Sequence, residues 1–158
     1  FEAAIAAGAR TIMTSHILLP GVDPGAPATF SRAILHGLLR EELGFEGVIV
    51  SDALDMKGAS GEIGIAGAAV RALAAGCDLL CIGTDNTDEQ LAEIEREIAE
   101  AVDDGRLAAD RLAEAVARTS ALGRFRRPRT FNRARDCSRT RRRNFPCEHP
   151  RTWDHNPH

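Results

Sequence analysis

The chain has 158 residues, of which 44% are hydrophobic and 27% charged, the composition of a globular domain with a core rather than of a wholly disordered chain. No apolar run approaches the ~20 residues that a membrane-spanning helix requires. The net charge of −3 hides a split: residues 1–123 carry 9 basic against 20 acidic residues, and residues 124–158 carry 11 against 3. An acidic first part argues against a nucleic-acid surface there and leaves one only to the tail.

The chain begins at Phe1, inside a helical pattern that Gly8 closes. This start suggests a portion of a longer protein, so the lack of a targeting segment says little. Thr11–Thr14 reads as a short strand with Ser15 and His16 at its end. Ile17–Thr29, rich in Pro and Gly, reads as a loop. Ser31 is a good N-cap for an amphipathic helix over Arg32–Leu43, with Ile34, Leu35, Leu38 and Leu39 on one side. Gly44 ends that helix.

Gly47-Val48-Ile49-Val50-Ser51-Asp52 then gives three β-branched apolar residues in a row, the mark of a strand buried on both faces, stopping on two polar residues. Gly58, Gly61 and Gly64 mark a loop, and Ala66–Ala75 a helix closed by Gly76. Cys77–Ile82 is a third strand of the buried type. Asp88–Val102 and Leu107–Leu122 are helices separated by Asp103-Asp104-Gly105. Helix-separated strands imply parallel pairing and an α/β fold. Three strands do not close a barrel, which takes eight and about 250 residues. The expected fold is therefore the C-terminal three β/α units of a (β/α)₈ TIM barrel over residues 1–123, followed by an irregular basic tail over 124–158.

Residues 124–143 hold ten Arg and no Lys. An arm for nucleic acid or phosphate is one reading of this tail. A zinc site from Cys137, Cys147, His149 and His155 is another, although the spacing matches no standard pattern. Disorder, or translation of a GC-rich gene out of frame, also fits so little apolar content. Cys77 and Cys81 read as small core residues. Without a disulfide framework a reducing, cytoplasmic compartment is favoured.

In an open or closed parallel α/β sheet, ligands bind at the carboxyl ends of the strands. That end brings Ser15 and His16 beside Ser51 and Asp52, with Thr84, Asp85 and Asn86 after the third strand. A carboxylate there suits attack on an anomeric carbon or metal binding, and it also suits simple capping of the next helix or bonding of a turn N–H. Spacing alone does not choose.

Met13-Thr14-Ser15-His16-Ile17, the Pro20–Thr29 loop, Leu38–Phe45, Gly47–Met56 and Ala72–Leu80 together resemble glycoside hydrolase family 3, in particular its bacterial β-N-acetylhexosaminidase branch. The resemblance covers roughly residues 1–123. It implies retaining hydrolysis of terminal β-linked N-acetylglucosamine, in bacteria usually from peptidoglycan fragments, without metal or organic cofactor. Asp52 would be the catalytic nucleophile and His16 a substrate-binding residue, or else a histidine that bonds a neighbouring loop carbonyl, with Asp55 a cap and His36 structural or exposed. The acid/base His of that branch, and its sugar-gripping Lys-His pair, lie on earlier loops and have no counterpart here. A β-glucosidase-like member of the same family is the rival enzyme, and a non-catalytic module using the Arg-rich tail is the rival of another class.

Overall fold

The computed structural model describes residues 1–61 and 63–123. A short helix, α1 (Glu2–Ala6), ends before Gly8, whose φ of +85° suits a residue without a Cβ. β1 (Thr11–Met13) follows. The expected loop after it is instead a two-stranded antiparallel ribbon of β2 (Leu18–Leu19) and β3 (Asp23–Pro27). Pro24 and Pro27 are compatible with such a ribbon because each strand has an unpaired edge. Asp23 fastens it, its carboxylate accepting the Gly25 N–H at 2.9 Å and the Ser31 hydroxyl at 2.6 Å. The Ser31 bond, with the Gly25 N–H behind it, holds the Asp23 carboxyl below its ordinary value of 3.8. The stability it lends is therefore complete above that value and is lost as pH falls through the lowered one.

A 3₁₀ turn (Ala28–Phe30) leads to Ser31, whose Oγ accepts the Ile34 N–H at 3.2 Å, as a cap should. The element it caps differs from expectation. Ala33–Glu42 is a π-helix rather than an α-helix, a form that rarely exceeds a single turn. Ile34, Leu35 and Leu39 are its buried residues, and the wider turn draws Ile34 and Leu39, five residues apart, closer together around the axis than an α-helix would. Leu38, expected among them, is only partly buried. Gly44, at φ +64°, ends the helix.

β4 (Val48–Ala53) lies at the centre of a three-stranded parallel sheet of order β1-β4-β5, with β5 at Leu79–Cys81. Gly47 introduces it because a Cβ there would stand 2.4 Å from the Arg10 carbonyl oxygen. The π-helix lies in the first crossover; α2 (Lys57–Ser60) and α3 (Gly64–Ala75) form the second. Parallel neighbours need crossovers of this length. α2 occupies part of the expected Gly-rich loop.

Ala68, Ala69, Ala72 and Ala75 of α3 are all buried, and side chains this small let the helix lie close to its neighbours. α4 (Asp88–Asp103) opens with a capping box in which the Thr87 hydroxyl accepts the Gln90 N–H while the Gln90 side chain accepts the Thr87 N–H. α5 (Ala109–Gly123) begins later than expected. Leu107, just before it, is buried with Val70, Leu73 and Ala101 in a second core cluster.

The sheet has two unlike faces. Ile12 and Ile49, paired across β1 and β4, belong to the main core. Met13, Val50 and Leu79 form the next row, and Met13 and Leu79 are 57% and 44% exposed. β5 is thus not buried throughout, contrary to expectation. Cys77, ahead of it, is fully buried; burial, with the Asp78 carboxylate beside it, pushes its thiol up to about 12. It packs as a small apolar group.

Asp78 ties these elements together at the amino ends of the strands. Its carboxylate is fully buried and pairs with Arg40 of the π-helix and with Arg111 and Arg118 of α5. It also accepts the Ile49 N–H at 3.0 Å, while its own N–H donates to the Ile49 carbonyl at 2.8 Å. Arg40 reaches back to the carbonyls of Phe45 and Gly47, both at 2.6 Å, and burial lowers its guanidinium from the ordinary value against the pull of Asp78. Removing one partner of a buried charge network leaves the others uncompensated, at about 3–5 kcal/mol. Asp78→Ala is therefore expected to lower unfolding stability by about that amount. Chemical denaturation of the variant checks this, and an unchanged midpoint would contradict it.

Candidate active site

The carboxyl ends of β1 and β4 meet at Asp52. The β1 ladder ends where Thr14 donates its N–H to the Val50 carbonyl at 2.8 Å. In a regular parallel ladder the next bond would run from the Asp52 N–H to a backbone carbonyl. Here the Asp52 N–H donates to the Thr14 side-chain hydroxyl, at 3.2 Å. On the opposite edge of β4 the substitution recurs: the buried Ser51 hydroxyl accepts the Cys81 N–H at 2.8 Å. β4 is thus joined to both neighbours through hydroxyls near its carboxyl end.

The Asp52 side chain is half-buried and turns back so that one oxygen accepts the Ala53 N–H at 2.8 Å. Among the described residues nothing else bonds the carboxylate and no cation pairs with it. One oxygen is fixed and the other remains available, an arrangement a nucleophile can use. The capping alternative is not realised, because α2 makes no side-chain cap bond at its start.

His16 arrives one residue away. Its Nε2 lies 3.0 Å from the Ala53 carbonyl, which can only accept, so Nε2 carries a proton and donates it there. The ring's Nδ1 is buried without a partner among the described residues. The ring stacks on Phe30 at 6.2 Å between centroids, and Arg71 lies over the same Phe30 ring at 5.2 Å. Ala53 is thus held from both sides, its N–H by Asp52 and its carbonyl by His16.

The other polar residues at the strand ends do structural work. Asp55 accepts the Gly83 N–H at 2.8 Å, and a Cβ at Gly83 would stand 2.3 Å from its carboxylate, so this pair ties the loop after β4 to the loop after β5. Asn86 donates to the Gly83 carbonyl at 2.9 Å. His36 is far from these groups in sequence and pairs with Glu41 at 3.3 Å on an exposed face. The sequence reading passed over Thr14 and Thr29. Thr14 directly follows β1 and Thr29 sits in the 3₁₀ turn after β3, positions too common for a threonine to stand out.

Among the described residues no three His, Cys, Asp or Glu side chains cluster as metal ligands would, and no helix is long and apolar enough to cross a membrane. Cys137, Cys147, His149 and His155, with the rest of the tail from 124, lie outside the described residues.

Comparison with known proteins gives a consistent picture. Over 132 residues the chain is 38% identical to a β-N-acetylglucosaminidase/β-glucosidase of Cellulomonas fimi, covering 77% of this chain and 22% of that protein. A β-hexosaminidase of Chromobacterium violaceum is 47% identical over 90 residues, 56% of this chain and 25% of its own. The solved structure of a family 3 β-N-acetylglucosaminidase from Paenibacillus superposes with a TM-score of 0.72 at 39% identity, over 77% of this chain and 23% of that one. The chain therefore spans about a quarter of the length of these relatives. Residues 1–122 match the sequence model of the glycosyl hydrolase family 3 N-terminal domain, a domain of the TIM-barrel type, and the chain belongs to that family.

Proposed function

We propose that residues 1–123 are the last three β/α units of a (β/α)₈ barrel in a retaining β-N-acetylhexosaminidase, with Asp52 as the nucleophile. The observation that carries this is the Asp52 carboxylate at the carboxyl end of the central strand, with one oxygen pinned by Ala53 and the other uncommitted. The exposed row of Met13 and Leu79 beside Val50 supports the barrel, since that face is where the remaining strands would close an apolar interior. The basic residues of 124–158 lie outside this proposal, and nucleic-acid binding is not part of it.

In the proposed reaction the Asp52 carboxylate attacks the anomeric carbon of a terminal β-linked N-acetylglucosamine. The bond to the leaving oxygen breaks as an acid/base group from elsewhere in the barrel delivers a proton to it. Water then attacks the glycosyl ester, the same group now acting as base and taking a proton from that water, so that the Asp52 carboxylate is released and the β-configuration is retained. His16 lines the sugar site, one residue from the nucleophile. Peptidoglycan fragments in the cytoplasm are the proposed natural source of the sugar, and no cofactor is required.

The name of the Cellulomonas relative joins two activities, so a β-glucosidase specificity is the second reading, distinguished by comparing aryl N-acetylglucosaminide with aryl glucoside.

In the full-length enzyme, Asp52→Ala is expected to lower turnover of an aryl N-acetylglucosaminide by roughly 10⁴-fold or more, the scale lost with a covalent nucleophile. Near-normal turnover would remove Asp52 from that role. His16→Ala is expected to cost about tenfold in kcat/KM, roughly the worth of one hydrogen bond at the site, without abolishing activity. Unchanged kinetics would leave His16 a purely structural group.

A further inference from the structure

The Asp52 N–H is the first member of a chain of hydrogen bonds that runs into the core. It donates to Thr14 Oγ1 at 3.2 Å; Thr14 Oγ1 lies 2.8 Å from Thr29 Oγ1; and Thr29 Oγ1 donates to the Ser15 carbonyl at 3.0 Å. A hydroxyl has one proton to give. Thr29 gives its proton to Ser15, so it must accept from Thr14, and Thr14 is then left to accept from Asp52. Every link points the same way, from Asp52 inward. Thr29 is fully buried, and its own N–H also goes to the Ser15 carbonyl, at 3.2 Å.

We propose that the hydroxyls of Thr14 and Thr29 are positioning groups for Asp52, fixing the peptide that carries the nucleophile where the β1–β4 backbone ladder has ended. The inference rests on Asp52 being the nucleophile. Without the Thr14 hydroxyl, the Asp52 N–H faces an apolar neighbour and loses its bond to β1. The carboxylate keeps its Ala53 bond but shares the freedom of the peptide from which it projects. Misplacing a reacting group by about 1 Å can cost about 10²-fold. The chain also makes a prediction about coupling, because two hydroxyls in series act as one unit.

The test is the single-turnover rate of aglycone release from an aryl N-acetylglucosaminide by the full-length enzyme, which reports attack by the nucleophile. Thr14→Val, nearly isosteric but without the hydroxyl, is expected to slow that step by about tenfold while the half-saturating substrate concentration changes by less than about twofold. Thr14→Ser restores the rate to within about twofold, and Thr14→Val combined with Thr29→Val is no slower than Thr14→Val alone. A wild-type rate in folded Thr14→Val overturns the proposal, as does an equal loss in Thr14→Ser. If Thr14→Val does not fold, Thr29→Val carries the same readout. Failure of both to fold assigns the hydroxyls to the fold and contradicts the proposal. Asp52→Ala in the same series separates the two claims: residual attack there refutes the nucleophile, whereas its loss together with an unaltered Thr14→Val refutes only the positioning.

Discussion

One buried carboxylate organises the amino ends of the strands. Asp78 has no exposed side-chain surface, yet three guanidinium groups converge on it, from Arg40, Arg111 and Arg118. A charge this deep in a protein is tolerable only when its partners are close and its remaining lone pairs are satisfied. The Ile49 N–H supplies that last bond, so the carboxylate is wired into the central strand as well as to the helices. Glu114 accepts from both Arg111 and Arg118 at the outer edge and offsets part of the excess positive charge. The π-helix, β4, β5 and α5 are thereby set relative to one another from a single point.

That constraint bears on the opposite ends of the same strands. With β4 and β5 anchored at Ile49 and Asp78, their carboxyl ends arrive in fixed register, and there the backbone pairing becomes irregular between Val50 and Ala53. Hydroxyls of Thr14 and Ser51 take over where carbonyls would otherwise serve. The shift is local, since Ala53 pairs again with Cys81 and the Leu54 N–H donates to the Cys81 carbonyl, and the hydroxyl bonds tie the strand end to both neighbours. Stability is concentrated at one end of the sheet and chemical opportunity at the other, the division seen generally in barrels.

Much of the architecture was legible in the chain. The Val48-Ile49-Val50 run identified the central strand, and the helices α3, α4 and α5 followed from periodicity and their closing glycines. The π-helix did not, because Ile34, Leu35, Leu38 and Leu39 also fit an α-helical stripe, and the widening depends on what Leu39 and Arg40 must reach in three dimensions. The β2–β3 ribbon was hidden by its Pro and Gly content. The Asp78 network joins residues up to 40 positions apart, beyond any local pattern. At the site, Asp52 and His16 were visible as residue types in a recognisable motif. A bond from His16 to a neighbouring carbonyl was one of the two readings of that residue, but that the carbonyl is Ala53's no sequence pattern displays, and the role of Thr14 rests on where a ladder ends.

The central claim is that Asp52 forms a bond to the sugar. A mechanism-based fluorinated N-acetylglucosamine donor, whose glycosyl ester hydrolyses slowly, traps that bond in the full-length enzyme for peptide mapping by mass spectrometry. The account predicts the label on Asp52 within the peptide spanning Val48–Met56. A label on Asp55, or on any residue outside this strand end, would contradict it.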